Sequence, residues 1–337
     1  MNKEYQKIFD SLKQEKIEES VNSRVLLVDG LNTFLRAFAA IGWVNKDLLH
    51  IGGLTGFLRS LGYIIKLVRP TRVIVMFDGQ GSSTNKRYIY PEYKANRGLN
   101  RVTNWDSFES QQEESEAITS QLVRLISYLK TLPVDLICID KIEADDVIGY
   151  ITGELDGEMT IMSSDRDYLQ LVSDKITVYS PTKKKFYDKD LVLTEYKVTS
   201  KNFLTQKILL GDQGDNVPGV KGLGEKTMIK LFPQLGTDNE VTLDDILESC
   251  KDGKKKILES IMNYEFQLRI NQKLMDLKNP SIPDEAKEEI KSVLLEPKKS
   301  FNSQQFLDLY HEDELGNSIP NVNMWLFNNF NELQKYK

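Results

Sequence analysis

Residues Arg24–Asp29 read RVLLVD, a short apolar run that ends in an acidic residue. Similar apolar runs follow at Arg72–Asp78, Val134–Asp140, Met159–Asp165 and Lys175–Ser180, and stretches with helical spacing separate most of them. Runs that are apolar throughout are typical of strands buried on both faces of a sheet. Because strands alternate with helices, the sequence predicts an α/β fold with a mostly parallel central sheet and helices on both faces.

The rest of the chain has a different character, because strand patterns stop after about residue 201. Residues 203–232 contain two helical patterns around a glycine-rich turn, and residues 240–337 are helix- and loop-like without a motif that we can assign. Residues 1–22 are polar, with apolar residues near helical spacing, which predicts an exposed amphipathic helix. We therefore expect a boundary near residue 200.

The composition is that of an ordinary globular protein, with 40% hydrophobic and 28% charged residues among 337. The longest apolar stretches are far too short to span a bilayer, and the N-terminus has no apolar signal-peptide core. We therefore expect a cytoplasmic protein without membrane contact. Cysteine and histidine are too scarce for a disulfide framework or a metal site built from them, so any metal would be held by oxygen. These residues are Cys138, Cys250, His50 and His311.

Charge is distributed unevenly along the chain, although the formal net charge of −6 alone argues against a general nucleic-acid binder. Residues Lys86–Arg101 carry five basic residues against the single Glu92, and Asp106–Glu116 carries five carboxylates and no base. A charge run is usually a solvated loop. Contact with DNA becomes the better interpretation if an acidic metal site lies nearby.

Acidic residues follow the predicted strands at the edge where a parallel sheet binds its ligands. Any one of them could be a helix cap or a turn residue. Together in one crevice they would repel one another by about 1 kcal/mol per pair even in water, and divalent cations remove this cost. Two such ions about 4 Å apart form a phosphodiester-cleaving site. The acids are Asp29, Asp78, Asp165, Asp167, Glu143, Asp145 and Asp146, and then Asp212 and Asp215, which one helical turn would place together.

Six motifs occur in order across residues 24–232: VDGLN, VMFDG, PEYKANR, IEADD, SSDRDYLQL and GDQGDNVPGVKGLGEKT. In these motifs the sequence resembles the structure-specific 5′ nucleases, which include flap endonucleases and the 5′-nuclease domain of bacterial DNA polymerase I. It is most similar to the phage branch of this family, typified by T-even phage ribonuclease H. The resemblance covers about two thirds of the chain and implies a PIN-like 5′-nuclease fold.

The resemblance implies two Mg²⁺ ions, for which Mn²⁺ can substitute, and gives each ion its ligands position by position. The residues matched to the first ion are Asp29, Asp78, Glu143, Asp145 and Asp146. The residues matched to the second ion are Asp165, Asp167, Asp212 and Asp215. Asp165 is implied to lie near both ions and to be catalytic.

The basic run matches the helical arch of this family, at about residues 84–116, through or under which a free 5′ end passes. Lys94 and Arg97 match its basic pair and are implied to be catalytic, the lysine as a point charge and the arginine as a fork on the scissile phosphate. The tyrosines between these bases are expected to stack on unpaired bases. The residues expected to bind nucleic acid here are Lys86, Arg87, Tyr93 and Arg101, with Tyr88 and Tyr90 beside them.

The glycine-rich turn matches the family's helix–hairpin–helix, which implies contact with duplex phosphates that does not read the sequence, and a K⁺ ion at the turn. An ordinary glycine-rich helix connection would look similar. The residues expected to bind nucleic acid here are Gly219, Lys221, Gly222, Gly224, Lys226 and Thr227.

We therefore expect a helical extension (1–22), an α/β nuclease core that includes the arch (23–200), a helix–hairpin–helix (201–235) and a C-terminal helical region (236–337). The expected activity is that of a Mg²⁺-dependent 5′→3′ exonuclease and flap endonuclease with ribonuclease H activity. It would remove RNA primers and 5′ flaps from branched, nicked or RNA-primed duplex DNA in replication or repair, for a phage. The expected state is a monomer that can contact a single-stranded-DNA-binding protein through its C-terminal region. A non-catalytic branched-DNA-binding factor and an RNA-directed PIN-type nuclease are the alternatives.

Overall fold

The computed structural model describes residues 20–97, 103–251, 253, 255–296 and 299–336. Its main feature is a six-stranded sheet with the order β3-β2-β1-β4-β5-β6, in which only β6 runs antiparallel to its neighbour. The predicted mostly parallel sheet is thereby confirmed. The strand order reverses beside β1, so a crevice opens at the C-terminal edge of the sheet. The strands are β1 (Arg24–Asp29), β2 (Arg72–Asp78), β3 (Asp135–Ile139), β4 (Glu158–Met162), β5 (Ile176–Ser180) and β6 (Lys185–Tyr187).

Helices follow the strands and then form the C-terminal part of the chain. The helices of the core are α1 (Gly30–Ala40), α2 (Gly52–Val68), α3 (Thr84–Ile89), α4 (Gln111–Leu129), α5 (Ala144–Glu154) and α6 (Lys189–Tyr196). Beyond them lie α7 (Phe203–Leu210), α8 (Glu225–Leu231), α9 (Leu243–Cys250), α10 (Lys256–Asn263), α11 (Glu265–Met275), α12 (Asp284–Leu295), α13 (Ser303–Glu312) and α14 (Val322–Phe330).

The sheet is covered on both faces because alternate residues of each strand point to opposite sides. Leu26 and Val28 of β1 join one buried cluster with α2, α4, α13 and α14. Val25 and Leu27 of the same strand join a second cluster with α5 and α12. A third cluster, built around Ile208 of α7 with α8, α9 and α11, forms a separate helical core that packs beside the crevice.

Arg72, at the start of β2, fastens α12 to the sheet. Its Nε donates to Asp135 Oδ2 at 2.7 Å, and its Nη1 and Nη2 donate to the carbonyl oxygens of Leu294 and Val293 at 2.6 and 2.8 Å. Both charged side chains are buried, at 1% and 2% exposure. The pair therefore joins two neighbouring strands and the end of α12 in one contact.

Three local features differ from the sequence-based expectation. The strand expected at Met159–Asp165 ends at Met162, and the short β6 was not predicted. A two-residue hairpin, β7 (Gly211–Asp212) and β8 (Val217–Pro218), follows α7 where no strand was expected. The predicted N-terminal helix falls almost entirely on residues 1–19, outside the described residues. Within the described ranges, no helix is both long and apolar enough to cross a membrane.

Candidate active site

Asp29 and Asp78 lie side by side at the C-terminal edge, because β1 and β2 are parallel neighbours and each ends at its aspartate. Asp29 also begins α1, accepting the Asn32 N–H at 3.1 Å. Its Oδ2 accepts hydroxyl hydrogens from Ser163 and Tyr168, each at 3.0 Å. Burial of the carboxyl group, together with the charge of Asp78, raises the pKa of Asp29 to about 6.

Glu143, Asp145 and Asp146 form a close acidic cluster at the N-terminus of α5. Each offers an oxygen within 4.8 Å of the others. Asp78 adjoins them, since its Oδ1 accepts the N–H of Ala144 at 2.8 Å. A helix N-terminus favours negative charge, but only by about 1 kcal/mol, so this cluster needs further positive charge.

Two lysines supply that charge. Lys86 Nζ lies 2.7 Å from Glu143 Oε2 and 3.0 Å from Asp146 Oδ1, and Lys94 Nζ lies 2.5 Å from Glu143 Oε1. Burial opposes ionisation of Glu143, but Lys86 and Lys94 outweigh it and lower its pKa to about 2. Burial dominates at Asp146, with Asp145 and Glu143 adding repulsion, and raises its pKa to about 7 despite Lys86. The charge in this cluster is therefore only partly offset.

A second acidic group contains Asp165, Asp167 and Asp212. Asp165 follows β4 and accepts the Asp167 N–H at 3.0 Å. Lys207 of α7 joins the group, because its Nζ contacts Asp167 and lies 2.8 Å from Asp212 Oδ2. Burial, with repulsion from Asp165 and Asp212, raises the pKa of Asp167 to about 7 even beside Lys207.

Asp212 and Asp215 lie together in the β7–β8 hairpin rather than on the helical turn that we expected from their spacing. Asp212 Oδ1 accepts the N–H groups of Gly214 at 2.8 Å and of Asp215 at 3.3 Å, so the acid itself folds the hairpin. The tight hairpin needs glycine at its base, since Gly211 has a φ of 72°. The proximity of the two acids is as expected, but its cause is different.

Asp215 connects the two groups through the basic segment. Its Oδ2 lies 3.1 Å from the Tyr93 hydroxyl and 3.9 Å from Lys94 Nζ, and both of those side chains also contact Glu143. Its Oδ1 accepts from Arg97 at 2.5 Å. Tyr93 and Lys94 thus link Glu143, matched to the first ion, with Asp215, matched to the second.

Part of the described basic segment, residues 86–97, lies against this crevice through three buried side chains. Lys86 and Lys94 are buried at 7% exposure. Tyr93 is 2% exposed, so its ring has no face open to a base, contrary to the stacking role that we expected for it. Tyr88, at 85% exposure, does present its ring to solvent. Arg101 lies outside the described residues, and residues 111–116 of the predicted arch form the first turns of α4.

Arg87 and the glycine-rich turn lie at the rim. Arg87 Nε donates to the Tyr93 carbonyl at 3.1 Å. Gly222 has a φ of 85°, and a Cβ on Gly219 would lie 2.0 Å from the Leu210 carbonyl oxygen, so both positions require glycine. The turn then leads into α8 with its polar residues facing outward. The exposed residues of this stretch are Lys221, Gly222, Gly224, Glu225, Lys226 and Thr227.

Sequence reasoning missed three polar partners of the acids. Lys207, Tyr168 and Ser163 reach the crevice from positions near predicted acids in the sequence. The only signal was position: Lys207 precedes Asp212 by five residues, and Ser163 and Tyr168 flank the SDRD sequence.

Clustered carboxylates with basic partners, at the C-terminal edge of a parallel sheet, are typical of enzymes that cleave phosphate esters. Residues 24–197 match the family model for the 5′-3′ exonuclease N-terminal resolvase-like domain. Residues 198–294 match the model for the 5′-3′ exonuclease C-terminal SAM fold. The chain belongs to the 5′-3′ exonuclease family and is a nuclease.

Similar proteins include a relative of comparable length and a much longer one. The chain is 31% identical over 264 residues to the 5′-3′ exonuclease of Bacillus subtilis, covering 74% of this chain and 82% of that protein. It is 30% identical over 264 residues to DNA polymerase I of Bacillus caldotenax, covering 75% of this chain but only 28% of the polymerase. The bacteriophage T5 flap endonuclease, solved with DNA and metal ions, has the same fold at 23% identity, with a TM-score of 0.62 over 87% of this chain and 98% of that one.

Proposed function

We propose that this nuclease hydrolyses phosphodiester bonds near 5′ ends and flaps in nicked, branched or RNA-primed duplex DNA, with two Mg²⁺ ions for which Mn²⁺ can substitute. The convergence of nine acids on one edge of the sheet carries the proposal. These acids come from five separate segments, and the contacts described above join them in one crevice. The T5 flap endonuclease, with the same fold, was solved with DNA and metal ions, which supports the proposal.

The donor set fits hard divalent cations, because it consists of carboxylate oxygens. The residues that would hold the first ion are Asp29, Asp78, Glu143, Asp145 and Asp146, and those for the second are Asp165, Asp167, Asp212 and Asp215. When bound, such ions activate a water molecule and stabilise the leaving oxygen.

The basic side chains of the crevice have distinct tasks in this proposal. Lys94, buried beside Glu143, stabilises charge on the scissile phosphate. Arg97, with its side chain 56% exposed, can turn from Asp215 to present its fork to a phosphate oxygen. Lys207 orients Asp167 and Asp212. Burial of Lys94 means that its amine exchanges a carboxylate partner for the phosphate.

The exposed turn from Lys221 to Thr227 is the proposed contact for duplex backbone. Several finer points stay predictions. They are the removal of RNA primers, a phage role, a K⁺ ion at this turn, a monomeric state, and a contact of residues 236–337 with a single-stranded-DNA-binding protein. A non-catalytic DNA-binding factor has no need of nine converging acids, which argues against that alternative. The glycine turn, suited to a duplex, argues against a nuclease directed at single-stranded RNA.

The first test uses 5′-labelled flap DNA, nicked duplex, RNA·DNA and single-stranded RNA, each incubated with Mg²⁺ or EDTA. Cleavage of the first three substrates only with Mg²⁺ is expected. Asp165→Asn and Asp212→Asn should abolish cleavage while duplex binding survives. Asp156→Asn, an exposed aspartate before β4, is the matched control and should cleave normally. Full activity in either site variant contradicts the proposal.

Lys94→Ala tests the role of the buried amine. Because Lys94 is proposed to stabilise charge that develops during cleavage, the variant should lose about 10²–10³-fold in the single-turnover rate while substrate affinity changes little. A change confined to affinity would remove Lys94 from the chemistry. Single-turnover cleavage and equilibrium binding, measured on the same flap, separate the two effects.

A further inference from the structure

A cavity of about 340 Å³ adjoins the acidic crevice, where β4 and β5 end near α6. Asp165 lines this cavity and also the neighbouring acidic cavity that contains Asp167, Asp212 and Asp215. Arg36 and Arg166 likewise line both. The two spaces are therefore adjacent, and a group held in the first lies beside the acids of the second.

The lining of this cavity is cationic, in contrast to the crevice. Arg36, Arg166 and Lys183 line it, against the single carboxylate of Asp165. Lys183 Nζ donates to the Tyr187 hydroxyl at 2.8 Å and lies 3.8 Å from Glu195. The charge of Lys183 is therefore partly offset by Glu195. Arg36 and Arg166, in contrast, are exposed residues that can reach a ligand. The local balance favours an anion.

Hydroxyl groups complete the lining. Ser164 and Thr182 contact each other across the cavity, and Ser180 Oγ lies 3.4 Å from Ser164 Oγ. Hydroxyl groups and arginine forks are the donors that proteins use for phosphate oxygens. A phosphate monoester, with a charge between about −1.5 and −2 near neutral pH, matches this set.

The far wall of the cavity is closed. Leu169, Val178 and Tyr187 form it, and they are buried at 1%, 1% and 3% exposure. A strand cannot continue through this wall, so a terminal phosphate can approach it directly, whereas an internal phosphodiester would have to enter and leave through the open side of the cavity. The volume lies at the lower end of the range of about 300–1,000 Å³ that is usual for small-ligand sites.

We propose that this cavity binds the terminal 5′-phosphate of the strand that is cut, and so favours phosphorylated 5′ ends over 5′-hydroxyl ends. The proposal rests on the nuclease function proposed above. It assigns Arg36, Arg166 and Lys183, which have no part in the metal ligand set, to recognition of the substrate end.

The test compares two recessed duplexes that differ only in a 5′-phosphate or a 5′-hydroxyl, each labelled with fluorescein at the 3′ end. Fluorescence anisotropy in EDTA measures binding without cleavage. The wild-type protein should bind the phosphorylated duplex about tenfold more tightly, the value of one charge-assisted hydrogen bond. Arg166→Gln and Lys183→Gln should each reduce this ratio towards one. Lys184→Gln, which lines a different cavity, is the control and should keep the ratio.

A wild-type ratio near one overturns the proposal, as does an unchanged ratio in both cavity variants. Equal weakening on both duplexes in the variants also overturns it, because the cavity would then hold an internal phosphate. Circular dichroism melting of each variant confirms folding. Cleavage with Mg²⁺ is measured separately: a phosphate preference in binding without cleavage contradicts the proposed activity alone, whereas cleavage with no preference contradicts the cavity alone.

Discussion

The acidic cluster of Glu143, Asp145 and Asp146 lies at the start of α5, and two glycines of this helix allow its packing to be tested. The same substitution, glycine to alanine, is made at both. A Cβ added at Gly149 would lie 2.1 Å from the carbonyl oxygen of Leu277, which is backbone and cannot rotate away. A Cβ added at Gly153, one turn further along α5, would meet nothing within 4 Å. The same change should therefore have opposite effects at the two positions.

The magnitudes follow from two opposing effects. Alanine in place of glycine within a helix stabilises by up to about 1 kcal/mol, because alanine restricts the unfolded chain and favours the helix. Overpacking a well-filled site costs about 1–3 kcal/mol. Gly153→Ala should gain about 0.5 kcal/mol, since it lies near the helix end. Gly149→Ala should lose up to about 2 kcal/mol of the free energy of unfolding, because the overpacking cost exceeds the propensity gain.

Urea denaturation, followed by circular dichroism, measures both variants against the wild-type protein under one set of conditions. A lower midpoint for Gly149→Ala and a slightly higher one for Gly153→Ala are expected, with unchanged slopes. Equal shifts in the same direction would mean that the segment around Leu277 does not pack against α5 as described. The inference that the C-terminal region supports the helix of the acidic cluster would then be refuted.

Two further predictions concern buried charges. Arg72→Ala should lower the free energy of unfolding in urea by about 3–5 kcal/mol, because it removes the buried positive charge that pairs with Asp135. Arg72→Met combined with Asp135→Leu should restore part of the loss, since only the Leu294 and Val293 carbonyls then lack their donor; a loss in the double variant equal to or larger than that in Arg72→Ala would refute the pairing. Lys207→Met should make thermal unfolding more sensitive to added Mg²⁺ than in the wild-type protein, because the amine and the proposed ion share the carboxylate of Asp212. Identical Mg²⁺-induced shifts of the melting temperature would show that Lys207 does not share the ion's ligands.

The sheet could be predicted from the sequence because β1 and β2 are buried on both faces and so are apolar throughout. The position of the crevice could also be predicted from the acids at the ends of these strands, because parallel strands bring their C-terminal ends together. The hairpin of β7 and β8 could not be predicted, because strands of two residues leave no periodic pattern. The hairpin is held in shape by Asp212, whose side-chain oxygen accepts the N–H of Gly214. The spacing of three residues between Asp212 and Asp215 does not reveal this hydrogen bond.

The interior of the site was harder to predict than its acids. Tyr93 lies among basic residues in the sequence, which favours an exposed ring, but its hydroxyl contacts Asp215, 122 residues further along the chain. Lys207 likewise contacts Asp167 across 40 residues. Such contacts depend on how the C-terminal helical core packs on the sheet. The local sequence around Tyr93 or Lys207 does not indicate that packing.

The pattern of pKa values explains why lysines lie inside this crevice. Burial raises the pKa of Asp29 to about 6 and that of Asp146 to about 7, whereas Glu143, which contacts two lysines, has a pKa of about 2 despite its burial. One amine is therefore not enough, since Asp146 keeps a raised pKa although Lys86 Nζ lies 3.0 Å from its Oδ1. A divalent ion supplies more charge to the same oxygens than one ammonium group does. We therefore expect that an ion bound to these oxygens would release Lys94 from Glu143, as its proposed role at the scissile phosphate requires.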